Sequence, residues 1–116
     1  MAANAVKQKA EKFRKEFVNP IGWIDLPQGG FREVIPRLRV ETYKIPSQVY
    51  GPIILSFNAI RPENMKASKT LAQAHLTEVD AIRLCALIVK AIKSLRGNIV
   101  TINDILRQIG REAIKL

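Results

Sequence analysis

Residues 37–45 read RLRVETYKI, and the alternation in this stretch decides how the rest of the chain is read. Leu38, Val40 and Thr42 share one parity while Arg37, Arg39, Glu41 and Tyr43 share the other, the period of two expected of a strand with one buried face. The apolar set predicts a core-facing side, and the second set places two arginines and a tyrosine on the outer side of a sheet. Upstream, Pro36 cannot donate a ladder hydrogen bond and marks an edge, a bulge or a strand start. Before it, GWIDL (22–26) starts an extended stretch that PQGG (27–30) closes as a turn. Downstream, PSQVYGP (46–52) connects to IILSFNAI (53–60), a short and strongly apolar strand. RPENMKASK (61–69) is polar and predicts a loop, after which TLAQAHL (70–76) supplies a fourth strand.

Helical periodicity appears at both ends of the chain. At the N-terminus Val6, Ala10, Phe13 and Phe17 form one stripe among Lys7, Lys9, Lys12, Arg14 and Lys15, which predicts a basic amphipathic helix broken by Asn19, Pro20 and Gly22. Thr77 and Asp80 have the spacing of a capping box with Asp in place of Glu, and they open a long helix that Gly97 closes. Val79, Ile82, Ala86, Val89 and Ile92 lie on one face of it, and Leu84, Leu87, Ala91 and Leu95 widen that face, which predicts cover on more than one side. Thr101 and Asp104 repeat the capping spacing before a last helix striped by Ile102, Ile105, Leu106, Ile109, Ala113 and Leu116. The expected fold is α+β: one domain over residues 1–116, with an antiparallel sheet of about four strands packed on helices, a basic N-terminal helix and two C-terminal helices.

Composition bounds the function. At 116 residues, 47% hydrophobic and 25% charged, the chain suits one globular domain with a modest core. Nineteen Lys and Arg against 10 Asp and Glu leave a formal charge of +9, an excess that favours an anionic partner, nucleic acid above all. Cys85 is the single cysteine, so no intrachain disulfide and no thiolate metal cluster can form, as expected of a cytoplasmic protein. No apolar run approaches the ~18 residues of a membrane span, and the N-terminus lacks the apolar core of a secretion signal. Fifteen isoleucines beside two methionines would suit a thermophile's core.

Catalysis lacks its usual residues. His75 is the only histidine and reads as a polar residue near a strand end. QGGF (28–31) has neither a GxGxxG nor a Walker pattern and reads as a hairpin turn. The chain is therefore expected not to be an enzyme and to need no cofactor or metal. The strand region instead interleaves Trp23, Phe31, Tyr43, Tyr50 and Phe57 with Arg32, Arg37, Arg39, Lys44, Arg61, Lys66 and Lys69. Cations that track phosphates and flat rings on which bases stack are what a single-stranded nucleic acid requires, although Trp23 and Phe57 would equally serve a core. A second reading takes the last two helices as a duplex-binding pair that reaches a groove with Asn103, Arg107, Gln108 and Arg111.

The order of these elements carries a resemblance: a basic N-terminal helix, GFRE (30–33) leading into PRLRVETYKI (36–45), the strand IILSFNAI and the helix opening LTEVDAIRL (76–84). It resembles the small single-stranded DNA-binding proteins of hyperthermophilic archaea called ThermoDBP over roughly residues 5–116, and more weakly the positive cofactor four coactivators. Both likenesses imply a basic cleft with an apolar floor, and the first implies protection of exposed strands in replication and repair. The expectation is a sequence-tolerant single-stranded DNA-binding protein, with RNA as an alternative ligand, duplex regulation as an alternative role and no membrane partner. The apolar excess of the two C-terminal helices predicts a homodimer, with Ile105 and Ile109 at the contact.

Overall fold

In a computed structural model the structure describes residues 17–26, 34–45 and 51–115. The expected N-terminal helix up to residue 16, the 27–30 turn, and Phe31, Arg32 and Tyr50 lie outside the described residues. The chain divides into two compact units, one ending at Thr77 and one beginning at Glu78.

The first unit holds a four-stranded antiparallel sheet of β1 (Val18–Asp25), β2 (Ile35–Tyr43), β3 (Ile53–Ile60) and β4 (Lys69–Leu76), paired in chain order. Each neighbour in sequence is the neighbour in space, the cheapest way to close the loops between antiparallel strands. β1 takes Pro20 because it is an edge strand, and its register with β2 shifts between Pro20 and Gly22, leaving Ile21 as the extra residue. A second shift between Phe57 and Asn58 leaves Leu71 of β4 unopposed. A Cβ on Gly51 would fall on the backbone of Leu76, so the chain enters β3 along a path that only glycine permits.

The register sorts the sheet into two faces. Asp25, Trp23, Arg37, Arg39, Glu41, Tyr43, Asn58, Ser56, Ile54, Gln73 and His75 share one, the arginine face. Ile24, Leu38, Val40, Ile53, Leu55, Phe57, Ala72 and Ala74 share the other. Sequence parity groups these sets correctly but misassigns their cover. On β3 the buried residues are Ile54, Ser56, Asn58 and Ile60 of the arginine face, whereas Phe57, a candidate core residue, is exposed. Side-chain length contributes: Ser56 lies between Arg39 and Gln73 and Asn58 between Arg37 and Thr70, while on β4 only alanines stand opposite Leu55 and Phe57.

The second unit is a pair of helices, α1 (Glu78–Arg96) and α2 (Ile102–Lys115), joined through a 3-10 turn at Gly97–Ile99. Gly97 ends α1 with φ of +63°, the left-handed conformation that favours glycine at this position. Lys93 covers the exposed carbonyls of the turn, its Nζ donating to Gly97 O at 2.6 Å and also to Val100 O. The second capping box forms as its spacing predicts: the Asp104 N–H donates to Thr101 Oγ1 at 3.1 Å, and the Thr101 N–H donates back to Asp104 Oδ2 at 3.0 Å. This N–H, together with the Thr101 hydroxyl, holds the Asp104 carboxyl below the usual carboxylate range.

Val89, Val100 and Ile105 form the core of this unit, with Ile92 packed against them. One expectation is corrected here. Ile105, nominated for a dimer contact, is 2% exposed because it fills the seam between the helices. Within the helical unit the seam with α2 reaches one stripe of the long helix: Val89 is its buried residue, and Ile82, Leu87, Ile88 and Leu95 are exposed. Among the described residues no helix is long and apolar enough to cross a membrane. Ile105→Ala is expected to cost about 2–5 kcal/mol by leaving a cavity in this seam. Ile114→Ala, at an exposed position, should stay within about 0.5 kcal/mol of the parent. Denaturant unfolding followed by circular dichroism checks both.

Candidate nucleic-acid interface

Two ring assemblies stand on the arginine face. At one end, Asp25 of β1 lies opposite Arg37 of β2, and a bidentate fork joins them: Nε donates to Oδ1 at 2.7 Å and Nη2 to Oδ2 at 3.2 Å. Held in this way, the Arg37 guanidinium lies over the Trp23 ring with Cζ 4.9 Å from the centroid, a cation–π arrangement. The hydrogen bond from Arg37 holds the Asp25 carboxyl below the usual carboxylate range, and the same bond raises Arg37 above its ordinary value. The Trp23 ring remains 58% exposed on an edge strand.

At the other end, Tyr43 of β2 and His75 of β4 stack with ring centroids 5.8 Å apart and planes 13° from parallel. Tyr43 Oη and His75 Nδ1 are 3.3 Å apart, within hydrogen-bond distance. The pair bridges β3, whose buried Ile54 lies opposite His75. Between the two assemblies stands half-buried Arg39, opposite Trp23 on one side and Ser56 on the other. Tyr43 lies four residue steps along β2 from Arg39, about 13 Å of strand. Beneath them runs a satisfied polar network in which Thr70 Oγ1 donates to Asn58 Oδ1 at 2.8 Å and Asn58 Nδ2 donates to Ser56 Oγ at 3.1 Å.

The face is less basic than its sequence suggests. Asp25 and Glu41 share it with Arg37 and Arg39, and Glu41 is 4% exposed, so two guanidiniums meet two carboxylates. The remaining described cations of this unit lie at its margins. Lys44 is exposed just past β2, where its N–H donates to Phe17 O at 2.8 Å. Arg61 and Lys66 are exposed on the β3–β4 connection, which Asn64 orders by accepting from the Lys66 N–H at 3.2 Å and which Ser68 ties to the Arg61 N–H at 3.3 Å. Lys69 opens β4 opposite Ala59, on the apolar face.

Of the candidates named from sequence, then, Trp23, Arg37, Arg39 and Tyr43 come together on one face. Lys44, Arg61 and Lys66 stand at the margins, and Lys69 belongs to the other side. His75, Asp25, Ser56 and Asn58 were missed. Asp25 could have been suspected as a counter-charge, but the His75 stack depends on three strands being in register and has no local signature. No protein-family model, curated protein or solved structure matches the chain.

Trp23 is the only tryptophan, so its fluorescence reports on the Asp25–Arg37 clamp. Because the folded Asp25 carboxyl titrates below its unfolded value, the clamp's contribution is present above the ordinary aspartate range and is lost as pH falls through the depressed folded value. The parent should show a Trp23 emission change in that acidic window, and Asp25→Asn should show none there.

Proposed function

We propose that the protein is a sequence-tolerant single-stranded DNA-binding protein of the cytoplasm. The observation that carries this reading is the pair of preformed ring assemblies, Trp23 on Arg37 and Tyr43 on His75, set on one sheet face with Arg39 between them. Bases stack on Trp23 and Tyr43, a contact open to every base and worth about 1–3 kcal/mol each. Phosphates meet Arg39 and the marginal Lys44, Arg61 and Lys66, while Arg37, already neutralised by Asp25, serves to position the indole. An RNA strand offers the same rings and phosphates, and the ThermoDBP resemblance leans toward DNA.

Tyr43→Ala is expected to lose about 1–3 kcal/mol of binding with folding intact, and Tyr43→Phe to keep most of the affinity because the ring face survives. The measurement is a titration of matched single-stranded DNA, duplex DNA and RNA at two salt concentrations. Preference for duplex would move the function to the helices, and parental affinity in Tyr43→Ala would remove the sheet from the site.

We also propose that the helical unit pairs with a second copy of the chain. A unit of about 40 residues seldom sustains itself on one small core, and here an apolar groove of about 640 Å³ opens between α1 and α2, lined by Ile82, Cys85, Ile88, Leu106 and Ile109 among others. Stripes on both helices at the same spacing suit a four-helix arrangement. Light scattering should give a dimer mass for the parent and a monomer mass for Leu106→Glu; a parental monomer at high concentration rejects this pairing.

A further inference from the structure

We infer that the helical unit carries a phosphate-binding site of its own, formed by Arg96, Arg107 and Arg111 around Gln108, and that it takes a phosphate of the nucleic-acid backbone. The attribution to nucleic acid rests on the function proposed above; the phosphate site itself does not. These side chains line a cavity of about 230 Å³ together with Val100 and Asp104. Three features of the fold bring them there. Gly97 turns the chain immediately after Arg96, the Thr101–Asp104 box fixes where α2 begins, and Arg107 and Arg111 then fall one helical turn apart on the same side as Gln108.

The chemistry selects an anion with several oxygens. Arg96 Nη1 donates to Gln108 Oε1 at 3.2 Å, which anchors the guanidinium beside α2 and leaves the Gln108 amide group as a further donor. The one acidic residue in the lining is Asp104, whose Oδ2 already accepts from the Thr101 N–H and hydroxyl and whose Oδ1 meets Arg107 only at 3.7 Å. Three guanidiniums against one engaged carboxylate leave an uncompensated charge that a phosphate relieves, and guanidinium forks match phosphate oxygens in pairs. The same Arg107, Gln108 and Arg111 suggested groove reading from sequence alone. A cavity of this size has room for a phosphate group.

The test uses the full chain and two probes. Side-chain arginine and glutamine NMR resonances are followed while inorganic pyrophosphate is added, with sodium chloride at matched ionic strength as control. Saturable shifts at Arg96, Arg107, Arg111 and Gln108 that chloride does not reproduce are expected. Arg96→Lys, which keeps the charge and loses the fork, should weaken the pyrophosphate response about tenfold. Shifts that chloride reproduces, or none, overturn the site whatever the sheet does. In the second arm, the Arg96→Gln/Arg107→Gln/Arg111→Gln variant should bind single-stranded DNA with a salt slope reduced by about 0.7 for each phosphate that the arginines no longer neutralise. A parental slope in that variant, with the pyrophosphate response abolished, overturns the nucleic-acid backbone as the source and leaves a site for a free phosphate compound. If the parent binds no nucleic acid at all, the sheet reading fails, and the backbone source with it, while the pyrophosphate arm still decides the pocket.

Discussion

The arginine face exists because β2 is held in one register between β1 and β3. A slip of one residue would turn Arg37, Arg39 and Tyr43 to the opposite side, part Trp23 from its guanidinium and part Tyr43 from His75. Several bonds beyond the ladder pin that register. The Asp25–Arg37 fork ties β1 to β2 at one end, where the Leu26 N–H also donates to Pro36 O at 2.8 Å. At the other end the Tyr43 N–H donates to Pro52 O at 3.0 Å, and Gly51 admits the close pass by Leu76. The irregularities at Ile21 and Leu71 fall on the two outer strands, so β2 and β3 pair without a break from Ile35 opposite Ile60 to Thr42 opposite Ile53.

Charge and stacking are divided within this unit. The Asp25–Arg37 fork leaves this arginine little to offer a phosphate. Its value lies in orientation: Asp25 fixes Arg37, and Arg37 in turn limits how the indole can lie. Glu41, buried on the same face, adds a second carboxylate to it. The two ring assemblies thus stand at opposite ends of the face with Arg39 between them, and Lys44, Arg61 and Lys66 lie at its margins. The helical unit shows the opposite balance, with three guanidiniums lining a cavity that holds a single carboxylate.

What could be read from sequence was what local periodicity encodes. The strand RLRVETYKI, the apolar IILSFNAI, the weaker TLAQAHL, the helix that Gly97 closes and the Thr101–Asp104 box all formed where spacing placed them. Pairing across strands was not readable, and with it went Asp25 as the partner of Arg37 and His75 as the partner of Tyr43. Burial was also misjudged where it depended on neighbours: Ile105 carries the same helical spacing as exposed Leu106, and only the position of α1 shows which of them faces the seam. An apolar stripe says that something will cover it and not what.

The composition of β3 sets the middle of the arginine face apart from its ends. In IILSFNAI the parity of Ile54 continues with Ser56 and Asn58, where a strand facing another layer would carry aliphatics. Both are buried, and their polar atoms are satisfied within the sheet by each other and by Thr70, so their desolvation is offset without any outside partner. These short, mutually bonded side chains lie beneath Arg37, Arg39 and Gln73, while Trp23 on β1 and the Tyr43–His75 pair stand toward the two ends. Valine at Ser56 would strip Asn58 of its acceptor and crowd Arg39 and Gln73, which flank the position. The polar network thus lies between the two ring assemblies and is complete without a contribution from either of them.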